Sequence, residues 1–183
     1  MSQLEDERDG AEVSRLLAGA AKTVASARYC WLATTAENGC VNARPMGRLP
    51  RAPDEGDWTI RFVTDGRSRK ASDIRRARKV TLIFQHDADD AFVTLTGTAM
   101  LREDASEVRR RWKNAYNVFF PTEQERANAA FVEIGAERME CWIRGVTPEP
   151  FGLYPTILER DASGDWRLIL SVLTNSAPPH SQQ

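Results

Sequence analysis

Phe62-Val63-Thr64-Asp65-Gly66-Arg67-Ser68-Arg69-Lys70 is the stretch on which the reading of this chain turns. It ends a segment, Trp58–Thr64, in which Trp58, Ile60 and Phe62 alternate with Thr59, Arg61 and Val63, the period-two pattern of a half-buried strand. Asp65-Gly66 breaks that strand, and Ser68 is placed to cap a short helix running to about Ala77. A strand thus delivers a Thr hydroxyl, a turn follows, and a helix opens with Ser, Arg and Lys. A helix N-terminus offers unpaired N–H groups and the positive end of a dipole. With Arg69 and Lys70 added, the corner suits a phosphate dianion. Arg44, in the preceding hairpin, adds a bidentate donor if its side chain points the same way. The competing interpretation is a Ser-capped surface helix with solvated charge. Composition alone favours that one; the arrangement of the whole chain reverses the preference.

Working outward, residues 11–27 place Val13, Leu16, Leu17, Ala20 and Val24 at helical spacing, so an amphipathic helix opens the fold. Tyr29–Thr35 and Val41–Leu49 flank Asn38-Gly39, a strong hairpin signal because both turn positions favour positive φ. A two-residue turn there pairs Cys40 with Glu37 and Cys30 with Gly47. Residues 51–56 (RAPDEG) form a loop, Val80–Gln85 a strand, His86–Asp90 a polar turn, and Phe92–Leu101 another strand. Short turns between five strands signal a nearly closed antiparallel sheet. Ser106–Ala115 and Glu123–Ala130 read as helices, and Phe131–Ile134 and Met139–Arg144 as strands. Pro148, Pro150 and Pro155 crowd an irregular segment before a last strand at Trp166–Val172. The expectation is a mainly β (α+β) chain: a six-stranded antiparallel split barrel over residues 11–173, with flanking helices. Residues 1–10 are expected to be disordered and residues 174–183 a flexible tail.

Bulk properties exclude several classes of function. The 183 residues suit one domain with a core of its own. A net charge of −1 gives no global attraction to nucleic acid or anionic lipid. Residues 1–10 (MSQLEDERDG) contain no apolar signal region, and the longest apolar runs are strand-length. Cys30, Cys40 and Cys141 are odd in number and lack metal-like spacing, so all three are expected to be reduced and buried in a cytoplasmic protein. His86-Asp87-Ala88-Asp89-Asp90 has one imidazole and carboxylates typical of turns, so no metal is expected. The basic runs Arg75–Lys79 and Arg109–Arg111 read as solvated helix faces. Trp112, Tyr116, Phe119 and Phe120 form an aromatic stripe, read as core or dimer contact.

The order of these features resembles the FMN-binding split barrel of the pyridoxamine-5′-phosphate-oxidase-like proteins. The resemblance covers about residues 12–170 and is strongest over 29–101, where Arg44-Pro45-Met46, Phe62-Val63-Thr64, Ser68-Arg69-Lys70-Ala71 and Gly97 fall in the family's order. It implies flavin contacts from Arg44, Pro45, Met46, Phe62, Val63 and Thr64, and phosphate and ribityl contacts from Ser68, Arg69 and Lys70. It also implies a homodimer with FMN sites at the interface, where Trp142 approaches the partner's isoalloxazine. In that fold the aromatic stripe could also roof the flavin.

The chain departs from the oxidases where they grip their substrate. Phe151-Gly152-Leu153-Tyr154-Pro155 stands in place of an Arg- and His-bearing stretch. Tyr116–Pro121 is apolar where the oxidases are basic, and Phe92 replaces a flavin-contacting Gln. Oxidation of pyridoxamine phosphate is therefore not expected. The departures, with an insertion at 106–130, resemble the general-stress-protein branch. The resulting expectation is a flavin-dependent oxidoreductase of unknown substrate and unassigned catalytic residues. The alternatives are a non-catalytic flavin-binding or stress-interaction dimer and, less favoured, a split barrel for haem or a deazaflavin.

Overall fold

The computed structural model describes residues 3–50 and 56–169. Helix α1 (Gln3–Ser26) begins at Gln3 rather than at residue 11. It buries Leu16, Ala20 and Val24 against the barrel, the face its apolar spacing predicts. Strands β1 (Cys30–Thr35), β2 (Val41–Met46), β3 (Thr59–Asp65), β4 (Lys79–His86), β5 (Ala91–Arg102) and β6 (Ala129–Ile143) follow, with β7 (Thr156–Arg160) and β8 (Trp166–Ile169) after them. The order is β2-β1-β4-β5-β6-β7-β8, antiparallel at each pairing, with β3 on the N-terminal half of β6. The Leu49 N–H donates to the Arg61 carbonyl at 2.8 Å, tying the segment after β2 to β3. Strands β1 to β6 thus form the expected six-stranded split barrel, and β7–β8 extends it to eight strands. Residues 51–55 and 170–183, including the expected tail, lie outside the described residues.

The hairpin register differs from the expected one by a single residue. Cys30 pairs with Met46 and Thr35 with Val41. The Ala36 N–H donates to Cys40 O at 2.7 Å and the Gly39 N–H to Ala36 O at 3.0 Å, with Gly39 at φ 80°. The loop therefore holds three residues and closes through a left-handed glycine. Because side chains alternate along a strand, one residue of slip reverses the faces. Arg44 consequently stands opposite buried Leu32, and Asn42 opposite buried Thr34. The same turn leaves Cys40 exposed, correcting the expectation that all three thiols are buried; all three are free.

The two strand segments read at 131–134 and 139–144 are one strand, β6. Its register against β5 shifts at Thr96/Gly97, where Thr96 faces Arg138 and Gly97 faces Ala136. Glu137 is the extra residue of this bulge. A Cβ on Gly97 would lie 2.0 Å from the Gly135 carbonyl oxygen, so the crossing tolerates only glycine. Strand β7 was hidden behind the prolines before it.

The insertion between β5 and β6 folds as α3 (Ala105–Arg111), a 3₁₀ turn at Asn114–Val118 and α4 (Glu123–Ala127). Asp104 caps α3 by accepting from Ser106 N at 3.0 Å and Glu107 N at 2.9 Å. Val108, Tyr116, Phe120, Ala129 and Phe131 form a satellite core there. Trp112 packs edge-on against Tyr116 and Phe120, both at 5.6 Å. No helix among the described residues is long and apolar enough to cross a membrane.

Candidate functional site

Helix α2 (Arg69–Arg76) starts where the sequence predicts, with Ser68 as N-cap. The Ser68 Oγ accepts from Ala71 N at 3.4 Å and lies 3.3 Å from Thr64 Oγ1. The Asp65 carboxylate accepts from the Arg67 N–H at 2.8 Å and pairs with its guanidinium at 2.7 Å, so the turn before the helix is internally fixed.

Beside this helix start lies a cavity of about 760 Å³, within the ~300–1,000 Å³ range of small-molecule sites. Pro45, Met46, Val63, Thr64 and Lys70 line it, five of the ten residues expected to hold the cofactor. Lys70 is partly buried. Burial and the nearby Arg44 charge lower its pKa, opposed by Asp65. Its ammonium makes no hydrogen bond or ion pair with any described residue. A partly desolvated ammonium without a protein partner is suited to pairing with an anion.

The other five expected residues are placed differently. Arg69 is exposed on the first turn of α2 and Ser68 serves as its cap. The Phe62 side chain is fully buried in the barrel core and does not line the cavity. Arg44 turns inward: its Nη1 donates to Thr34 Oγ1 at 2.6 Å and Leu32 O at 3.3 Å, and its Nη2 lies 3.6 Å from Asp73. Burial acts to raise the Asp73 pKa, but hydrogen bonds from Thr34 and Asn42 and the charges of Arg44 and Arg76 hold it below the usual carboxylate range. Arg44 therefore braces α2 through Asp73. Trp142 pairs with Phe92 near the far end of β6. Phe131, opposite the cavity residue Val63, is eleven residues away, about 35 Å along the strand.

The cavity also takes residues that sequence reasoning did not assign as ligands: Tyr29, Gly47, Leu49, Asp65, Phe119, Phe120 and Glu125. The aromatic stripe was the one signal for Phe119 and Phe120; nothing in the spacing marked the others. Glu125 and Thr122 form a capping box, with Thr122 N–H donating to Glu125 Oε2 at 2.9 Å. These bonds hold the Glu125 carboxyl below its usual pKa.

A larger space, about 1010 Å³, lies between α1 and the β7–β8 hairpin. Both of its cations are engaged: Arg160 donates to the carbonyls of Ala136, Gly164 and Asp57 and stacks on Trp166 at 4.9 Å, and Arg167 pairs with Asp161 at 2.5 Å. The smaller cavity at α2 has the unpartnered cation and is the candidate site. Among the described residues no cluster of His, Cys, Asp and Glu could hold a metal ion.

Comparison with known proteins agrees with this architecture. A crystal structure of a protein related to general stress protein 26, from Clostridium acetobutylicum, superposes with a TM-score of 0.63 at 20% identity, over 78% of this chain and 93% of that one. A pyridoxamine 5′-phosphate oxidase-related, FMN binding protein of Nostoc punctiforme gives a TM-score of 0.62 at 15% identity, over 93% and 98%. General stress protein 26 of Bacillus anthracis gives 0.53 at 18%, over 69% and 92%. At these identities the likeness is one of fold. No curated protein sequence matches the chain. The sequence pattern of the family described as pyridoxamine 5′-phosphate oxidase like matches residues 18–147. On that match, with the split barrel around it, the chain belongs to the pyridoxamine 5′-phosphate oxidase-like family.

Proposed function

We propose that the chain is an FMN-binding flavoprotein of the general-stress type, acting in the cytoplasm as a flavin-dependent oxidoreductase. The observation that carries the reading is Lys70, which lines the cavity partly buried and without a partner among the described residues. With Arg69 on the same helical turn, it supplies charge for a phosphate at the positive end of α2. Thr64 and Ser68 bring hydroxyls to the same corner, while Met46, Val63 and Tyr29 give the cavity apolar walls. Bound FMN would supply the electron-transfer chemistry. The protein's part is to bind, orient and desolvate; no general acid or base is assigned.

The functional unit is proposed to be a homodimer. In cross-strand register, Pro45, Trp31 and Ile83 form an apolar row on the outer face of β2-β1-β4, with Trp31 50% and Ile83 38% exposed. Pro45 also lines the cavity, so the cavity opens beside that row. A second copy on this face would bury the row and bring a Trp142 toward the site, which Trp142 of the same chain is too far away to reach. Apolar patches of this kind mark protein contacts.

The test is a titration of purified protein with FMN and with riboflavin, followed by tryptophan quenching, with molar mass measured by light scattering. One FMN per chain in a dimer, bound more tightly than riboflavin, is expected. Equal affinity for the two would remove the phosphate corner from the reading. Bleaching of the bound flavin by NADPH would distinguish an oxidoreductase from a non-catalytic flavin carrier.

A further inference from the structure

The insertion between β5 and β6 does more than cover the barrel. It places Phe119, Phe120 and Glu125 in the wall of the cavity. Phe120 is fixed, 7% exposed and edge-on to Trp112. Its neighbour Phe119 is 70% exposed, yet its backbone is held by an N–H bond to Tyr116 O at 2.9 Å. An exposed ring on an anchored turn at a cavity mouth is a stacking surface.

The charges of the lining narrow the choice of ligand. Lys70 is the one cation among the lining residues, and the acids are Asp65 and Glu125. Asp65 is paired with Arg67, and Glu125 is held ionised by Thr122. Once Lys70 and Arg69 neutralise a phosphate dianion, no positive charge in the wall remains for a second anion. The carboxylate of Glu125 opposes one. Both carboxylates already accept hydrogen bonds, so neither presents a built site for a cation.

We infer that the part of this cavity bounded by Phe119 takes a neutral, planar aromatic substrate, stacked at the mouth and excluded if it carries a carboxylate or phosphate. The inference rests on the flavin reading above, because it assigns Lys70 and Arg69 to the cofactor. It names the substrate class that reading leaves open.

A matched, redox-inert pair of probes tests it: naphthalene-2-carboxamide and naphthalene-2-carboxylate, nearly the same shape and differing in charge. FMN loading is first established by absorbance at one flavin per chain. Each probe is then titrated into the FMN-saturated protein, with perturbation of the flavin absorbance as the readout. The carboxamide is expected to bind at least tenfold more tightly than the carboxylate. Phe119→Ala, a change at an exposed side chain, is expected to weaken the carboxamide about tenfold. Glu125→Gln, which keeps a capping-box residue, is expected to narrow the preference. Equal or tighter binding of the carboxylate, no binding of either probe to loaded protein, or indifference to Phe119→Ala would each overturn the inference while leaving the flavin reading in place. Failure of FMN to load overturns that reading, and this inference with it.

Discussion

Asp73 on α2 lies 3.6 Å from Arg44 on β2, and the two are joined through Thr34, whose hydroxyl donates to Asp73 at 2.7 Å and accepts from Arg44 at 2.6 Å. Asp73 is 8% exposed. This link fixes the helix that carries Lys70 to the hairpin that carries Met46, so the two walls of the cavity hold their spacing through a buried polar contact.

Asp73→Asn should therefore lower stability by about 1–3 kcal/mol at neutral pH, since it removes the negative charge that the Arg44 guanidinium faces in a mostly buried contact. The pKa of Asp73 is depressed in the folded state. Its contribution is thus fully present above the unfolded carboxylate value of about 3.9 and is lost as pH falls through the lower folded value. Urea melts at pH 7 and pH 3 should show a smaller loss between the two for the variant than for the parent. Parallel loss in both would dissociate Asp73 from the acid dependence.

At the anion corner, Lys70→Ala combined with Arg69→Ala should cost roughly 2–5 kcal/mol of FMN affinity. Riboflavin, which lacks the phosphate, should lose far less. Fluorescence titration of both ligands separates a lost phosphate contact from a damaged fold, and undiminished FMN binding would count against the corner.

Gly97→Ala adds a methyl where the Gly135 carbonyl already stands 2.0 Å from the Cβ position. Backbone cannot yield as a side chain tip can, so the cost should reach the upper end of overpacking, about 3 kcal/mol or more. Thermal melting would show it; a shift of only a degree or two would mean the bulge relaxes.

Of the three thiols, Cys40 alone should react with a thiol reagent in the native protein. Burial raises the pKa of Cys30 and of Cys141 to about 12, keeping both protonated. One equivalent should titrate natively and three after denaturation.

Much of the fold was legible because its signals are local. Alternation in Trp58–Thr64, the Asp65-Gly66 break and the Ser68 cap located β3 and α2 to within a residue at each end. The β6 segment was read as two strands because Gly135 and the charged Glu137 and Arg138 interrupt its apolar pattern. The interruption is a bulge, and a bulge depends on the partner strand. Five of the twelve cavity residues were named in advance: phosphate chemistry marks Thr64 and Lys70 by type, and the family resemblance supplied Pro45, Met46 and Val63. Tyr29 and Leu49 were not, because cavity walls have no period.

The sequence by itself determined the cation-bearing helix start, from a pattern a few residues long, and the split barrel and the family, from the order of such patterns along most of the chain. Tertiary structure decided the direction of Arg44. Turn chemistry alone favoured the two-residue loop that would have turned it outward. The three-residue loop reverses the face of β2 and sends the guanidinium to Asp73, because register depends on which faces the barrel can bury. Tertiary structure also decided that Phe119 and Phe120 reach the cavity, through a satellite core whose members are distant in sequence and meet only when β6 is laid beside the insertion.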